Sequence, residues 1–230
     1  MNQTKKVRLA IFDFDGTLID GHLWTALLKH NFKKKRRIFS SIWYLVYHML
    51  LYYFYKLKII SQKKCFQAWA KDIPKILVKG LSVEKGKDIL KTIWREYLLP
   101  TIKKETLSRL KWHQKRGDIT ILASNAPQDF LEIVKKYLNF NFVVGSILEV
   151  KNNRFTGKII PPLPWSKGKV KRIKGIIKKE KLNVDFKESF SYSDDIRDLP
   201  MLKMAGNPVV VSPDEKLLKI AKENHWGIIK

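Results

Sequence analysis

The chain has 230 residues, enough for one domain with a substantial insertion or for two small domains. A hydrophobic content of 45% excludes a globally disordered chain, and the single cysteine excludes an intramolecular disulfide and a cysteine-based zinc cluster. The 46 Lys and Arg against 21 Asp and Glu give a net charge of +25, which indicates an anionic partner: nucleic acid, an anionic membrane or a phosphorylated substrate.

The N-terminal residues 1–8 are polar and basic, and the apolar run that follows them is short. Asp13 and Asp15 interrupt that run, so the segment does not resemble a secretory signal. The expected compartment is therefore the cytosol.

Short apolar runs that end in turn residues predict strands, and apolar residues that repeat every three to four positions predict helices. Strands are predicted at 7–14, 118–123, 189–193, 208–211 and 228–229, and helices at 130–138, 170–177 and 216–221. Residues 142–160 predict a β-hairpin that turns at Asn152 and Asn153. The alternation of strands and helices predicts an α/β fold with a doubly wound, mostly parallel sheet.

The positive charge is concentrated in one block of the sequence. Residues 21–117 contain 23 Lys and Arg but only 5 Asp and Glu, so this block carries most of the net charge. We interpret it as a helical, basic and aromatic cap that is inserted into a catalytic core formed by residues 1–20 and 118–230.

Polar side chains follow three of the predicted strands. Asp13 and Asp15 end the first strand, Ser124 and Asn125 follow the second at the expected start of a helix, and Asp194 follows the third. The carboxyl ends of parallel strands share one edge of the sheet, so these side chains are expected to converge. Carboxylates suit Mg²⁺, while a hydroxyl, an amide and free N–H groups at a helix start suit an anion such as phosphate.

The order of these motifs resembles the haloacid dehalogenase (HAD) superfamily of phosphohydrolases. The matching pieces are Asp-Phe-Asp-Gly-Thr-Leu at 13–18, Ser124 after a strand, a lysine at the start of a later helix, and Ser-Asp-Asp-Ile-Arg-Asp at 193–198. Within the superfamily the chain looks like the phosphoserine-phosphatase-like branch, subfamily IB, with a helical cap between the first two motifs. The resemblance implies a HAD-like Rossmannoid core and phosphatase activity.

The resemblance also implies roles for the acidic residues. Asp13 would be the nucleophile that forms an aspartyl-phosphate, and Asp15 would protonate the leaving oxygen and then activate water. The Asp13 carboxylate, the backbone carbonyl of Asp15 and Asp194 would hold Mg²⁺. Asp195 stands where the family usually has serine; it either alters the metal affinity or is a solvated turn residue.

The remaining implied roles concern the phosphoryl group. Ser124 would hold a phosphoryl oxygen with help from the backbone N–H of Asn125. A lysine would balance the phosphate charge, and the spacing around residue 168 allows either Lys167 or Lys169 to be that lysine. Asp198 would orient this lysine or a water bound to the metal.

Residues 33–58 combine a basic run with an aromatic one. Residues 33–37 are all Lys or Arg, and residues 38–55 contain eight aromatic residues and no charged one. A single membrane crossing would separate Asp13 from Ser124, so the segment is expected to be an interfacial helix, a re-entrant helix or a helix buried within the cap. The basic run favours anionic lipid headgroups, and the pattern is similar to HAD phosphatases that resemble phosphatidylglycerophosphate phosphatase.

The sequence therefore predicts a Mg²⁺-dependent phosphomonoesterase that acts on a lipid phosphate or another membrane-associated phosphate, as a protein that is peripheral at the inner face of the membrane. One alternative is a soluble small-metabolite phosphatase similar to phosphoserine phosphatase, which the scarcity of acidic residues in the cap disfavours. Another is a catalytically inert protein that binds anionic membranes or nucleic acid, which the intact Asp13 and Asp15 pair disfavours. No nucleic-acid partner is expected, because the aromatic residues do not interleave with Lys and Arg.

Overall fold

A computed structural model describes residues 6–230, apart from the side chain of Gln62. The first five residues of the predicted core, which belong to the basic N-terminal stretch, lie outside the described residues.

The described residues form a seven-stranded sheet in the order β4-β3-β2-β1-β5-β6-β7. All neighbouring strands are parallel except β3 and β4, which form an antiparallel hairpin. The strands are β1 Leu9–Phe12, β2 Ile119–Pro127, β3 Phe142–Lys151, β4 Arg154–Ile160, β5 Phe190–Ser193, β6 Asn207–Val211 and β7 Gly227–Ile229. This confirms the predicted fold class.

Helices cover the sheet and fill the insertion between β1 and β2. In that insertion lie α1 Leu23–Lys33, α2 Ile38–Lys56, α3 Gln62–Leu77, α4 Val83–Ile93 and α5 Lys104–Lys115. The helices after β2 are α6 Gln128–Leu138, α7 Lys167–Lys179, α8 Leu199–Leu202 and α9 Glu215–Glu223. Short irregular helical turns follow α4, at Trp94–Leu98 and Leu99–Thr101, and precede α8, at Ile196–Asp198.

Most predicted elements form close to their predicted bounds. The hairpin turns at Asn152 and Asn153, whose positive φ angles of 48° and 56° suit a tight turn between strands. The first strand is shorter than predicted, because pairing begins at Leu9. The second is longer, because β2 continues four residues beyond Ala123 to Pro127.

The central strand β1 is buried on both faces, as expected for a parallel sheet covered by helices. Ala10 and Phe12 point into a large cluster that includes residues of α1, α3, α4 and α6. Leu9 and Ile11 point into a second cluster that includes Ile173 of α7. The sheet therefore holds the carboxyl end of β1 in a fixed position between two packed layers.

Helix α2 is exposed along most of its length. Only Ser41, Tyr44 and His48 are buried, while Phe39 is 89% exposed and Trp43 is 71% exposed. The alternative of a helix buried within the cap is therefore wrong: α2 is held through these three residues and through the partly buried Leu45 and Tyr55, while most of its large apolar side chains are exposed. In the part of the chain that the structure describes, no helix combines the length and apolarity that a membrane crossing needs.

Candidate active site

A cavity of about 260 Å³ lies at the carboxyl edge of the sheet. The ends of β1, β2 and β5 and the start of α7 form its floor, and α3 of the insertion forms one wall. Its polar lining includes Asp13, Asp15, Ser124, Asn125, Lys169 and Asp194. The structure thus brings together side chains that are up to 181 positions apart in the sequence, from residue 13 to residue 194.

Lys169 joins two carboxylates at the centre of the cavity. Its Nζ donates hydrogen bonds to Asp13 Oδ1 at 2.6 Å and to Asp198 Oδ2 at 2.5 Å. Lys167 is exposed and lines a neighbouring groove instead. Residues two positions apart on a helix lie about 200° apart around its axis, so only one of the two lysines can face the cavity.

Burial and charge oppose each other at Lys169. The Lys169 side chain is 3% exposed, and burial alone would lower the pKa of its ammonium group. The negative charges of Asp13 and Asp198 outweigh this effect and raise the pKa of Lys169 above its usual value. The lysine is therefore a fixed positive charge in the cavity at neutral pH.

Thr17 connects the first and third strand ends. Its hydroxyl donates to Asp194 Oδ1 at 2.8 Å, accepts from the backbone N–H of Asp194 at 3.0 Å, and lies 3.4 Å from Asp13 Oδ2. Thr17 was not among the residues predicted for the site. The signal that could have found it is its place in the turn formed by residues 15–17, Asp-Gly-Thr, at the end of the first predicted strand.

Asp15 is held at the start of α1. Its Oδ1 accepts a hydrogen bond of 2.6 Å from the backbone N–H of Leu23, the first residue of that helix. Burial is the largest influence on this carboxyl and raises its pKa to about 6, although the Leu23 N–H and Lys169 favour the charged form. A carboxyl with this pKa can donate and accept a proton near neutral pH.

Ser124 and Asn125 lie inside β2, so their expected position at a helix start is wrong. The strand continues beyond its paired stretch with β1, which ends at Leu122, and α6 begins only at Gln128. Ser124 Oγ accepts from the backbone N–H of Ala126 at 3.0 Å. The side-chain oxygen of Asn125 is buried and has no hydrogen-bond partner in the structure. A bound molecule that brings a donor would satisfy it.

Asp195 is paired with Arg197. Its carboxylate accepts from the backbone N–H of Arg197 at 2.8 Å and from Nε of the same residue at 2.5 Å. Burial raises the pKa of Asp195, but its pairing with Arg197 outweighs burial and lowers it overall. The guanidinium lies over the rings of Phe66 and Trp165, at 4.4 and 5.0 Å from their centroids. The carboxylate at position 195 is therefore a paired, partly buried side chain rather than a solvated turn residue, and its effect on metal affinity stays a prediction.

The donor set fits Mg²⁺ by its chemistry. Burial, together with repulsion between the two carboxylates, raises the pKa of Asp13, and burial raises that of Asp194. Both shifts disfavour the charged carboxylates in this buried cavity, and a hard cation beside them would stabilise the charged forms. Within the described residues no group of three or more His, Cys, Asp or Glu side chains is arranged as a metal site. The carboxylates of Asp13 and Asp194 and the backbone carbonyl of Asp15 form a smaller set of ligands, and all of its donor atoms are oxygen.

Gly16 allows the chain to pass close to Asp194. It has a φ of +76°, and a Cβ at this position would lie 2.2 Å from Asp194 Oδ2. We expect Gly16→Ala to displace the Asp194 carboxylate and to weaken Mg²⁺ binding about tenfold, measured as the rise in melting temperature on adding Mg²⁺. Gly80→Ala is the matched control: its φ is +78°, and nothing lies within 4 Å of the added Cβ.

Both alanine variants should lose a similar ~1–2 kcal/mol from backbone strain. Only Gly16→Ala should lose part of its thermal response to Mg²⁺. Equal responses in the two variants would show that Asp194 takes no part in binding the cation.

Comparison with known proteins places the cavity in a family context. Residues 10–203 match the model of the haloacid dehalogenase-like hydrolases. The chain is 29% identical over 136 residues to a histidinol-phosphatase of Neisseria meningitidis, covering 58% of this chain and 61% of the relative. It is 24% identical over 224 residues to phosphoserine phosphatase SerB1 of Mycobacterium tuberculosis, covering 95% of this chain and 69% of that protein.

Solved structures share the fold. A protein of unknown function from Bordetella pertussis Tohama I aligns with a TM-score of 0.82 and 19% identity, over 98% of this chain and 99% of that one. A phosphoserine phosphatase, captured as an analogue of its phospho-aspartyl intermediate, aligns with a TM-score of 0.64 and 18% identity, over 98% of this chain and 94% of that one.

Proposed function

The chain belongs to the haloacid dehalogenase-like hydrolases, and on this basis we propose that it is a Mg²⁺-dependent phosphomonoesterase that works through an aspartyl-phosphate on Asp13. The family match and the relatives confirm the resemblance to the phosphoserine-phosphatase-like branch and the assignment to the HAD-type phosphatases. The observation that carries the proposal is the position of Asp13 in a buried cavity, directly beside the cation of Lys169.

The resemblance to the family assigns two proton-coupled steps to Asp13 and Asp15. A carboxylate oxygen of Asp13 attacks phosphorus, the bond from phosphorus to the substrate oxygen breaks, and Asp15 gives its proton to that oxygen. Asp15 then removes a proton from water, whose oxygen attacks phosphorus and releases phosphate and the free Asp13 carboxylate. The raised pKa of Asp15, about 6, supports both roles.

The other cavity residues bind and orient the phosphoryl group. Ser124 and the backbone N–H of Asn125 donate to its oxygens, and Lys169 balances its charge. Asp198 positions Lys169 through their hydrogen bond of 2.5 Å and accepts in turn from Ser193 Oγ at 3.0 Å. Mg²⁺, held by Asp13, Asp194 and the Asp15 carbonyl, would reduce the repulsion between the nucleophile and the phosphate.

The test of this activity is a screen for phosphate release with Mg²⁺ present and with Asp13→Asn as the blank. The screen compares p-nitrophenyl phosphate, phosphoserine, and lysophospholipid and phosphatidylglycerol phosphates. Turnover that requires Asp13 and Mg²⁺ supports the proposal, and equal rates in the blank contradict it.

We retain the division into a core of residues 1–20 and 118–230 and a cap of residues 21–117 as part of this proposal. Support comes from α3, whose Phe66 and Trp69 form one wall of the cavity. In this division the core supplies the chemistry on phosphorus and the cap contacts the rest of the substrate.

Helix α2 supports a membrane-associated substrate. Its outward face carries Phe39, Trp43, Met49 and Tyr53, which are 59–89% exposed. A surface helix usually turns polar side chains to water, so an apolar outer face indicates a partner. The basic run at 33–37 adjoins this face, and that combination favours the surface of an anionic bilayer.

Vesicle flotation tests this part of the proposal. We expect the protein to bind vesicles that contain phosphatidylglycerol and to bind pure phosphatidylcholine weakly. Phe39→Ser/Trp43→Ser should weaken binding about tenfold or more, because each large side chain contributes ~1.5 kcal/mol or more on burial. Tyr137→Ser/Phe186→Ser removes exposed aromatic residues elsewhere and serves as the control.

The outcome also addresses the soluble alternative. No binding to either vesicle, together with faster turnover of phosphoserine than of the lipid phosphates, would contradict the membrane assignment and support a small-metabolite phosphatase.

A further inference from the structure

A second and larger cavity adjoins the active site. It is a groove of about 850 Å³ between α3, β4 and the loop that leads into α7. Trp165 and Ser166 line both the groove and the active-site cavity, so the two spaces are neighbours at these residues. One molecule that occupies both spaces has to pass Trp165.

The groove is strongly basic. Its lining includes five lysines, Lys63, Lys71, Lys75, Lys158 and Lys167, and one acidic residue, Asp72. These lysines belong to three separate elements. Three of them lie on α3, Lys158 lies on β4, and Lys167 lies at the start of α7. The positive charge therefore converges on the groove from both sides.

The single acidic residue is already paired. Asp72 accepts from Lys75, whose Nζ lies 2.6 Å from Oδ1, and it also lies 3.4 Å from His48 Nε2. The ammonium groups of Lys63 and Lys71 form no hydrogen bond or ion pair with any residue that the structure describes. They are eight positions apart on α3, which is little more than two turns, so both face the same groove. These two ammonium groups are available to an external anion.

The groove also has an apolar part. Ile159, Pro161, Pro162 and Leu163 line it between β4 and Trp165. A leaving group that crosses this stretch needs a short apolar or neutral section between the phosphate at Asp13 and an anion at the lysines.

We propose that this groove is a second anion-binding subsite, which takes a phosphate-type group on the leaving group of the substrate. The substrate class is a phosphomonoester that carries a second phosphate, as either a monoester or a diester, at the other end of a short linker. This inference rests on the proposed phosphomonoesterase activity for its link to turnover, but the subsite itself rests on Lys63 and Lys71. Lysine ammonium groups on flexible stems suit phosphate of either kind because they bind it as point charges.

Binding of compounds that cannot be hydrolysed tests the subsite independently of catalysis. Alkane bisphosphonates of graded length are compared with alkylphosphonates of the same length, by calorimetry with Mg²⁺ present. We expect one bisphosphonate length to bind the protein about tenfold more tightly than its monophosphonate, as one additional charge-assisted contact provides. Equal affinities at every length would overturn the proposal.

Charge-matched variants separate the groove from the general basicity of the protein. Lys63→Gln/Lys71→Gln should abolish the preference for the bisphosphonate. Lys216→Gln/Lys222→Gln removes the same charge from exposed positions on α9 and should keep the preference. A preference that survives the groove variant, or that the α9 variant also loses, contradicts the proposal. Circular dichroism confirms that both variants are folded.

Turnover then distinguishes the source of the second phosphate. Phosphate release is measured from a soluble alkanediol bisphosphate and from a diacyl lipid that carries a phosphodiester and a terminal phosphomonoester, in phosphatidylcholine vesicles. A higher kcat/KM for either compound than for its matched monophosphate supports the subsite and identifies the source. Bisphosphonate selectivity without any phosphate release would overturn the proposed activity and leave the subsite supported.

Discussion

Asp13→Asn is expected to reduce kcat for phosphomonoester hydrolysis by ~10⁴-fold or more, because a neutral amide cannot form the aspartyl-phosphate. The fold should survive. Asp13 follows a strand whose four residues are fully buried, and Asn fills the same volume and can still accept from Lys169. The measurement is phosphate release from p-nitrophenyl phosphate at saturating Mg²⁺, with circular dichroism as the check on folding.

A chemical readout separates the nucleophile from a metal ligand. Wild-type protein quenched in acid during turnover should carry phosphate on Asp13, detectable by mass spectrometry of the peptide that contains it. Asp13→Asn should carry none, and Ser124→Ala should lose activity while retaining the label. A label on another residue, or full activity in Asp13→Asn, would disprove the proposed mechanism.

Lys169→Met is the second variant with a large expected effect. It removes the only buried cation that contacts both Asp13 and Asp198 among the described residues, so kcat should fall ~10²–10³-fold. Methionine keeps a similar length and an apolar stem. The loss of the ion pairs nevertheless leaves the buried carboxylates of Asp13 and Asp198 without a cationic partner, and we expect a loss of ~3–5 kcal/mol in unfolding free energy.

Lys167→Met provides the comparison, because the two lysines lie in the same turn of α7 and differ in the direction they face. Lys167 is exposed, so its loss should cost less than fivefold in kcat with p-nitrophenyl phosphate and little stability. A double variant, Lys169→Met/Asp198→Asn, should recover part of the lost stability but not the activity. If Lys167→Met proved the more damaging change, the assignment of the phosphate lysine to residue 169 would be wrong.

The sequence by itself determined the fold class, and it predicted which residues form the site. Alternating strands and helices predicted the parallel sheet. The spacing of apolar residues and the positions of turn residues are local properties of the sequence, and packing seldom overrides them when they agree along the chain. The placement of Asp13, Ser124 and Asp194 at three of the predicted strands predicted their convergence, because the carboxyl ends of parallel strands share one edge of the sheet. The family match later confirmed the resemblance on which the residue roles were based.

Local pattern could not decide which way individual side chains point. Spacing left Lys167 and Lys169 equivalent, and the packing of α7 on the sheet, with Ile173 fully buried, turns residue 169 inward. The stacking of Arg197, the partner of Asp195, on Phe66 from the insertion joins segments about 130 positions apart.

The tertiary structure also decided what the insertion exposes. An aromatic helix without charge is equally suited to a buried position and to an interface, and its composition cannot distinguish them. Contacts of α2 through Tyr44, Leu45 and His48 leave most of its other large apolar side chains exposed. The basic groove arises in the same way, because lysines on α3, β4 and α7 meet only when the insertion packs against the hairpin. Contacts between residues that are distant in the sequence depend on the free energy of long-range packing, which a local sequence pattern does not determine.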